Sequence, residues 1–299
     1  MRDLEPMTRS TEPSVDGPSV RAATIASRRA AVERVLVTMR TRYAEPLTLH
    51  DLAGEAFLSP YHFNRVFRHT TGVPPGRFLA ALRMQSAKQM LLTTDYRVSD
   101  VCLEVGYRSL GTFTTHFRQL VGVGPRRLRR LAAAFGDVPL EALCGGGDPR
   151  GDEAGGLLLE LEAPAGDARE SIVFAGLFPT PLPQSRPAAC AVAVLPAAPE
   201  LRCREGAPTY ALASGYERSA DALGALLAGD DDVRVGIAGP VLPGDGAGAT
   251  PVELRLRRLD VVDPPILLAL PLLLAEAAAG PQPPRRVSRR RPLAAAAAR

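Results

Sequence analysis

From Ser27 onward the apolar residues fall at helical spacing. Ala31, Val35 and Met39, with Leu36 beside them, carry this pattern through Tyr43, and arginines occupy the other side. Glu45-Pro46 ends the predicted helix, because a proline disfavours helical geometry in the residue before it. Thr48 is placed to cap the next helix, with Asp51 three positions on as its partner and Leu49, Leu52, Ala53 and Ala56 on the buried side. After a turn at Phe57-Leu58, Ser59 is a second cap. Pro60 follows at the first helical position, where its missing N–H costs nothing. Phe63, Val66 and Phe67 form an apolar stripe that stops at Gly72, leaving Tyr61, His62, Asn64, Arg65 and Arg68 to point away.

Pro75 opens a longer helix through about Leu92, with Phe78, Leu79, Leu82, Ala87, Met90 and Leu91 facing inward. Ser99 is the expected cap of the following helix, which buries Val101, Cys102 and Val105; Gly106 sits in the next turn. A helix from Leu110 to Leu120 and another from Pro125 to about Ala134 complete this half. The order contains a repeat. Ser59, Phe63, Phe67, Arg68, Gly72, Val73 and Pro75 return fifty residues later as Ser109, Phe113, Phe117, Arg118, Gly122, Val123 and Pro125. Such agreement at one offset implies a duplicated helix-turn-helix. The second turn is one residue longer: Ala53 to Phe63 is ten positions, Cys102 to Phe113 eleven.

Beyond residue 135 the period changes. Residues 136–155 are rich in Gly and Asp and read as a linker. The short runs 157–161, 172–178, 189–195, 209–213, 233–237 and 252–256 are bounded by Gly, Pro and Asp clusters, and Val252 to Arg257 alternates strictly. These predict a small antiparallel sandwich or barrel over 156–279, with some helix at Ala275–Ala279. The first 27 residues, and 280–299 with its arginines, read as disordered. The fold class expected is therefore an all-α double helix-turn-helix domain over 28–135 followed by a small β-rich, sandwich-like domain.

Charge sharpens the division. Residues 28–135 carry a net charge of +10, residues 136–280 a net of −11, and the tail from 281 six arginines, within a whole-chain charge of +4. A basic half beside an acidic half points to nucleic acid as the partner of the first. The four cysteines have no C-x-x-C spacing, which fits a reduced, cytoplasmic compartment. The apolar run from Ile266 to Ala275 is broken by Pro271 and falls short of the ~20 residues of a membrane span. His50, His62, His69 and His116 show no ligand spacing, so no metal or cofactor is expected.

The repeated region, about Ala30 to Leu131, resembles the DNA-binding domain of the AraC/XylS family of transcription regulators. The likeness rests on Leu49-x-Asp51-Leu52-Ala53, Ser59…Phe63…Phe67, the connector Phe78…Leu82-Arg83…Ala87…Leu91-Leu92, Val101…Val105-Gly106-Tyr107…Phe113…Phe117-Arg118 and Gly122-Val123-x-Pro125. It implies two helix-turn-helix units joined by a rigid helix, each laying a recognition helix in the major groove on one face of duplex DNA. Two such helices enter successive grooves ~34 Å apart, so one chain can read a site without two-fold symmetry.

The matching positions imply Tyr61, Asn64 and Arg65 at base edges, with His62 beside them; Arg68 and Arg118 hold phosphates, aided by helix-start N–H groups near Ser59 and Ser109. The second unit offers Leu110, Gly111, Thr112 and Thr115, with His116 nearby. These can touch thymine methyls or make one hydrogen bond but cannot fork onto guanine, so direct readout there should be weaker. Arg126 to Arg130 read equally well as a solvated face or as phosphate ligands.

The resemblance lends the second half a small effector, RNA polymerase or a second copy of the chain as further partners. Residues 206–213 resemble transthyretin-like sandwiches, which imply no ligand by themselves. Only Phe174, Phe178, Tyr210 and Tyr216 supply aromatic lining, so a ligand sensor and a protein-contacting module both stand. A repair methyltransferase, which can pair a similar helical domain with reactive cysteines, is the rival reading. Cys190 and Cys203 lie in strand-like sequence, with arginines (Arg202 and Arg204) only around Cys203, and no histidine lies past residue 135. The expectation is a regulator with no catalytic residues.

Overall fold

Most capping and stop signals of the first half are answered by a helix boundary. The computed structural model describes residues 18–144, 156–163, 171–183, 187–202, 209–242 and 249–280. The first half forms α1 (Pro18–Thr41), α2 (Leu49–Glu55), α3 (Pro60–Thr71), α4 (Pro75–Thr93), α5 (Val98–Glu104), α6 (Leu110–Val121) and α7 (Pro125–Phe135). Thr48 and Asp51 make a reciprocal capping box on α2, and Ser59 caps α3 with Pro60 at its first turn. Gly72 and Gly122 stop α3 and α6 in the left-handed conformation, at φ of 77° and 87°.

Three details differ from expectation. Leu49, expected on the buried side of α2, is 43% exposed. Helix α1 starts at Pro18, well before Ser27; a proline is tolerated in a first turn because no intrahelical donor is needed there. Ser99 is not the cap of α5. The helix begins at Val98, which packs on the core, and Ser99 turns its hydroxyl to Asp100 at 3.1 Å.

Two cores divide the helices. Val32, Leu36, Met39, Phe63, Phe67 and Phe78 fill the first; Met84, Leu91, Phe113, Phe117 and Leu128 fill the second. Helix α4 contributes to both and packs against both α3 and α6. Arg83 on α4 fastens this arrangement: its guanidinium donates to the carbonyls of Tyr43 and Glu45 at 2.7 and 2.8 Å and lies 5.8 Å from the Tyr107 ring centroid. Arg129 on α7 likewise donates to the carbonyls of Leu91 and Thr94 at the end of α4.

The second half contains β1 (Gly156–Glu162), β2 (Ser171–Phe178), β3 (Cys190–Val194), β4 (Glu200–Arg202), β5 (Thr209–Glu217), β6 (Arg234–Val241), β7 (Thr250–Arg255) and β8 (Arg257–Arg258). Two helices join them, α8 (Ala222–Leu227) and α9 (Leu270–Ala279). The strands make a three-stranded sheet, β4-β1-β7, and a five-stranded sheet, β3-β2-β5-β6-β8. Pairing is antiparallel except between β1 and β7, which run parallel from Leu157↔Thr250 to Glu162↔Arg255. The sandwich is therefore mixed; strands so far apart in sequence have the long connection that parallel pairing needs.

Leu157, Leu159 and Leu161 meet Val173, Ala175, Leu177 and Leu254 between the sheets. The opposite face of the larger sheet, with Ile172, Phe174 and Tyr216, belongs to the same core as α7, α8 and α9. Strand β2 is thus buried on both faces, which explains its continuous apolar run where one-sided strands alternate.

The expected linker does not begin at residue 136. Residues 140–143 form a 3-10 turn that buries Leu140 and Leu143, and Pro139 bridges to Asp221. The Gly-rich remainder, 145–155, lies outside the described residues, as do residues 1–17, the basic tail 281–299 and Cys203.

Across this seam Ala269 N–H donates to the Val121 carbonyl at 3.0 Å and Lys88 Nζ to the Ile266 carbonyl at 2.9 Å. Arg29–Asp260, Arg40–Asp230 and Arg127–Glu276 pair at 2.7, 3.3 and 2.7 Å. Partly exposed pairs of this kind contribute only ~0–1 kcal/mol each, so the apolar contacts of Leu128, Leu131, Leu140 and Leu272 dominate the docking.

Candidate nucleic-acid interface

The repeat places equivalent helices, α3 and α6, against α4 with their apolar stripes inward. Phe63, Phe67, Phe113 and Phe117 are fully buried, as their spacing requires. What remains outside is the candidate surface. On α3, Tyr61, Asn64, Arg65 and Arg68 are exposed, and at spacings of three and four they share one side of the helix. Tyr61 is 82% exposed, a high value for so large an aromatic side chain without a partner. His62 is set apart: it is half-buried, and its Nε2 is shut from solvent with no hydrogen-bond partner among the described residues.

On α6, Leu110, Gly111, Thr112, Thr115, His116 and Arg118 are exposed. The fifty-residue offset aligns Gly111, Thr114, Thr115 and Arg118 with Tyr61, Asn64, Arg65 and Arg68. Thr114 is exposed and belongs to this surface, although the sequence reading omitted it; the offset itself was the signal. The α6 surface is smaller and carries fewer donors. His116 is held by Tyr107, whose hydroxyl lies 3.3 Å from Nδ1.

Ser59 and Ser109 accept from the backbone N–H groups of His62 and Thr112 at 3.4 and 3.3 Å, so their hydroxyls cap their own helices. The remaining first-turn N–H groups have no intrahelical acceptor, as at any helix start.

The arginines sort by location. Arg65, Arg68 and Arg118 make no ion pair or hydrogen bond among the described residues. Arg29, Arg40, Arg83, Arg127 and Arg129 are all engaged, on the second half or on helix ends. Burial lowers the Arg83 pKa from its usual value, consistent with a structural role. Within the Arg126–Arg130 segment, Arg127 and Arg129 are therefore occupied, whereas Arg126 and Arg130 are exposed.

No group of three or more metal-ligating side chains occurs among the described residues, and no helix among them is long and apolar enough to cross a membrane. Burial raises the pKa of the Cys102 and Cys144 thiols, away from the reactive thiolate.

Two capped helix-turn-helix units on one shared helix define a double helix-turn-helix DNA-binding domain. Comparison with known proteins agrees: a family described as a helix-turn-helix domain matches residues 52–131. The transcriptional activator AarP of Providencia stuartii is 28% identical over 109 residues, 36% of this chain and 81% of that protein. The bifunctional transcriptional activator/DNA repair enzyme AdaA of Bacillus subtilis is 31% identical over 90 residues, 30% of this chain and 43% of that one. The melibiose operon regulatory protein of Escherichia coli K12 is 26% identical over 101 residues, 34% of this chain and 33% of that one.

The match thus spans less than half the length of the latter two proteins, and the likeness to AdaA is confined to the helix-turn-helix part. Among solved structures, the DNA-binding domain of AdpA in complex with a target DNA is 31% identical, covering 34% of this chain and 93% of that one with a TM-score of 0.34. Residues 52–131 thus form an AraC/XylS-type helix-turn-helix domain.

Proposed function

We propose that this protein is a sequence-specific transcription regulator that reads two successive major grooves of duplex DNA with α3 and α6. One observation carries the reading: the same positions of the repeated helix are exposed and free of partners in both units, and the described second half covers none of them. In this reading Arg65 forks onto guanine, Asn64 onto adenine and Tyr61 packs at a base edge, while Arg68 and Arg118 hold phosphates. Gly111, Thr112, Thr114 and Thr115, with Leu110, give the second groove apolar and single-bond contacts, and that half of the site depends more on DNA shape.

The second half regulates or tethers the reader. Its contacts reach both helical units, so a change in its packing acts on their relative placement. A repair activity is not favoured: the likeness to AdaA is confined to the helix-turn-helix part, and burial raises the Cys102 and Cys144 pKa values.

The test is selection of duplexes from a random pool by the full-length protein, followed by anisotropy titrations across salt concentrations. Arg65→Ala should flatten the preference at one base pair by ~1–3 kcal/mol, whereas Arg68→Ala should weaken all duplexes alike and lower the salt slope by about one. An unenriched pool would overturn the reading.

A further inference from the structure

Lys88 is the one lysine of the chain, and it is buried. It lies on α4, at the seam with the second half. One of its three N–H donors meets the Ile266 carbonyl at 2.9 Å, and no carboxylate pairs with it among the described residues. Asp230 lines the same cavity but is paired with Arg40. An ammonium held out of water without a counter-charge is costly, and such groups are normally paired or hydrogen-bonded. Desolvation pushes the Lys88 pKa down to about 8, so the charged form is still present at neutral pH.

Two neighbouring cavities lie at this seam. At Lys88 a cavity of about 30 Å³ is lined by Gln85, Gln89, Tyr216 and Ile266. Each water needs roughly 10–15 Å³ on this scale, so the cavity holds about two oxygen-sized groups. A second, adjacent cavity of about 50 Å³ is made apolar by Phe174, Phe178, Leu212 and Leu270. Tyr216, Ile266 and Leu268 line both. A cation at one end, room for two oxygens beside it and an apolar chamber next door describe the shape of a small monocarboxylate.

We propose that the seam between α4 and the five-stranded sheet binds a small monocarboxylic acid, with the carboxylate on Lys88 and a short apolar tail against Phe174 and Phe178. Because α4 also carries both recognition units, ligand at Lys88 bears on the helix that spaces them.

The experiment is thermal unfolding of the full chain, without DNA, titrated with butyrate, hexanoate and benzoate and with the corresponding amides. At a hundredfold excess over Kd, at least one carboxylate should raise the midpoint saturably by about 5 °C. The amides should not, and Lys88→Met, which keeps the side-chain volume, should abolish the rise. No saturable rise with any of the three acids overturns the proposal. So does an equal rise in Lys88→Met or with the amides. The site is independent of the DNA-reading proposal, since neither measurement uses the other's ligand.

Discussion

Gly106 packs against Ala44: a Cβ on this glycine would clash with the Ala44 carbonyl oxygen, and its φ is +80°. The turn of the second unit thereby sits on the chain that leaves α1 of the first. The counterpart in the first unit is Phe57, at φ 57° and 86% exposed. Both close the same turn, Leu58 N–H to Ala53 carbonyl and Tyr107 N–H to Cys102 carbonyl. Gly106→Ala combines left-handed strain with a backbone clash and should cost more than ~2 kcal/mol. Phe57→Gly relieves strain at an exposed site and should be neutral or stabilising by up to ~1 kcal/mol. Urea unfolding of both variants checks this; equal losses would contradict it.

Gly72 and Gly122 make a second matched pair. A Cβ at Gly72 meets nothing within 4 Å, whereas at Gly122 it would lie 2.8 Å from a methyl of Leu268 across the seam. Gly72→Ala should cost only the left-handed penalty, ~1–2 kcal/mol, and Gly122→Ala measurably more. The excess should vanish when Leu268→Ala is added, a double-mutant cycle that reads the docking of the second half directly.

Lys88 gives stability a pH signature. Its folded pKa, about 8, lies below the ordinary lysine value of 10.5, so the unfolded chain holds the proton more tightly. The group's contribution is complete above pH 10.5 and is lost as pH falls through 8. In carboxylate-free buffer Lys88→Met should therefore be more stable than wild type at pH 7, by up to ~3 kcal/mol, with the gap closing toward pH 10.5. Denaturant midpoints of the two proteins across that range check it; a gap that does not depend on pH would be the contrary result.

The two recognition helices should differ in what they read. Arg65→Ala should erase a preference of ~1–3 kcal/mol at one base pair, and Thr115→Ala less than ~1 kcal/mol. Binding to single-base variants of a selected site measures both. Equal losses would contradict the asymmetry between Arg65 on α3 and Thr115 on α6.

The helical half was legible because its signals are local. Thr48 with Asp51, Ser59 with Pro60, and the glycines Gly72 and Gly122 mark boundaries within four residues, and the phenylalanine stripe marks the buried side. Ser99 misled because a serine near a helix start also fits inside the first turn, and the apolar Val98 decides the true start. Of the second half, the longer runs were readable, but β4, β8 and α8 are too short to show a period. The parallel pairing of β1 with β7 joins segments about ninety residues apart, which no local pattern reports. The seam was hidden for the same reason. Lys88 looks like a surface residue on α4 until Ile266 and Tyr216 cover it, and a pocket sought within residues 156–275 alone lacks its charged end.

The most direct test of the account is guanine-N7 methylation interference on a selected duplex bound by the full-length protein, since N7 faces the major groove. Two patches of interference should appear on one face of the duplex, centred about 10–10.5 base pairs apart, without two-fold symmetry and stronger in one half. A single patch, or a symmetric pair demanding two chains, would contradict reading by α3 and α6 of one protein.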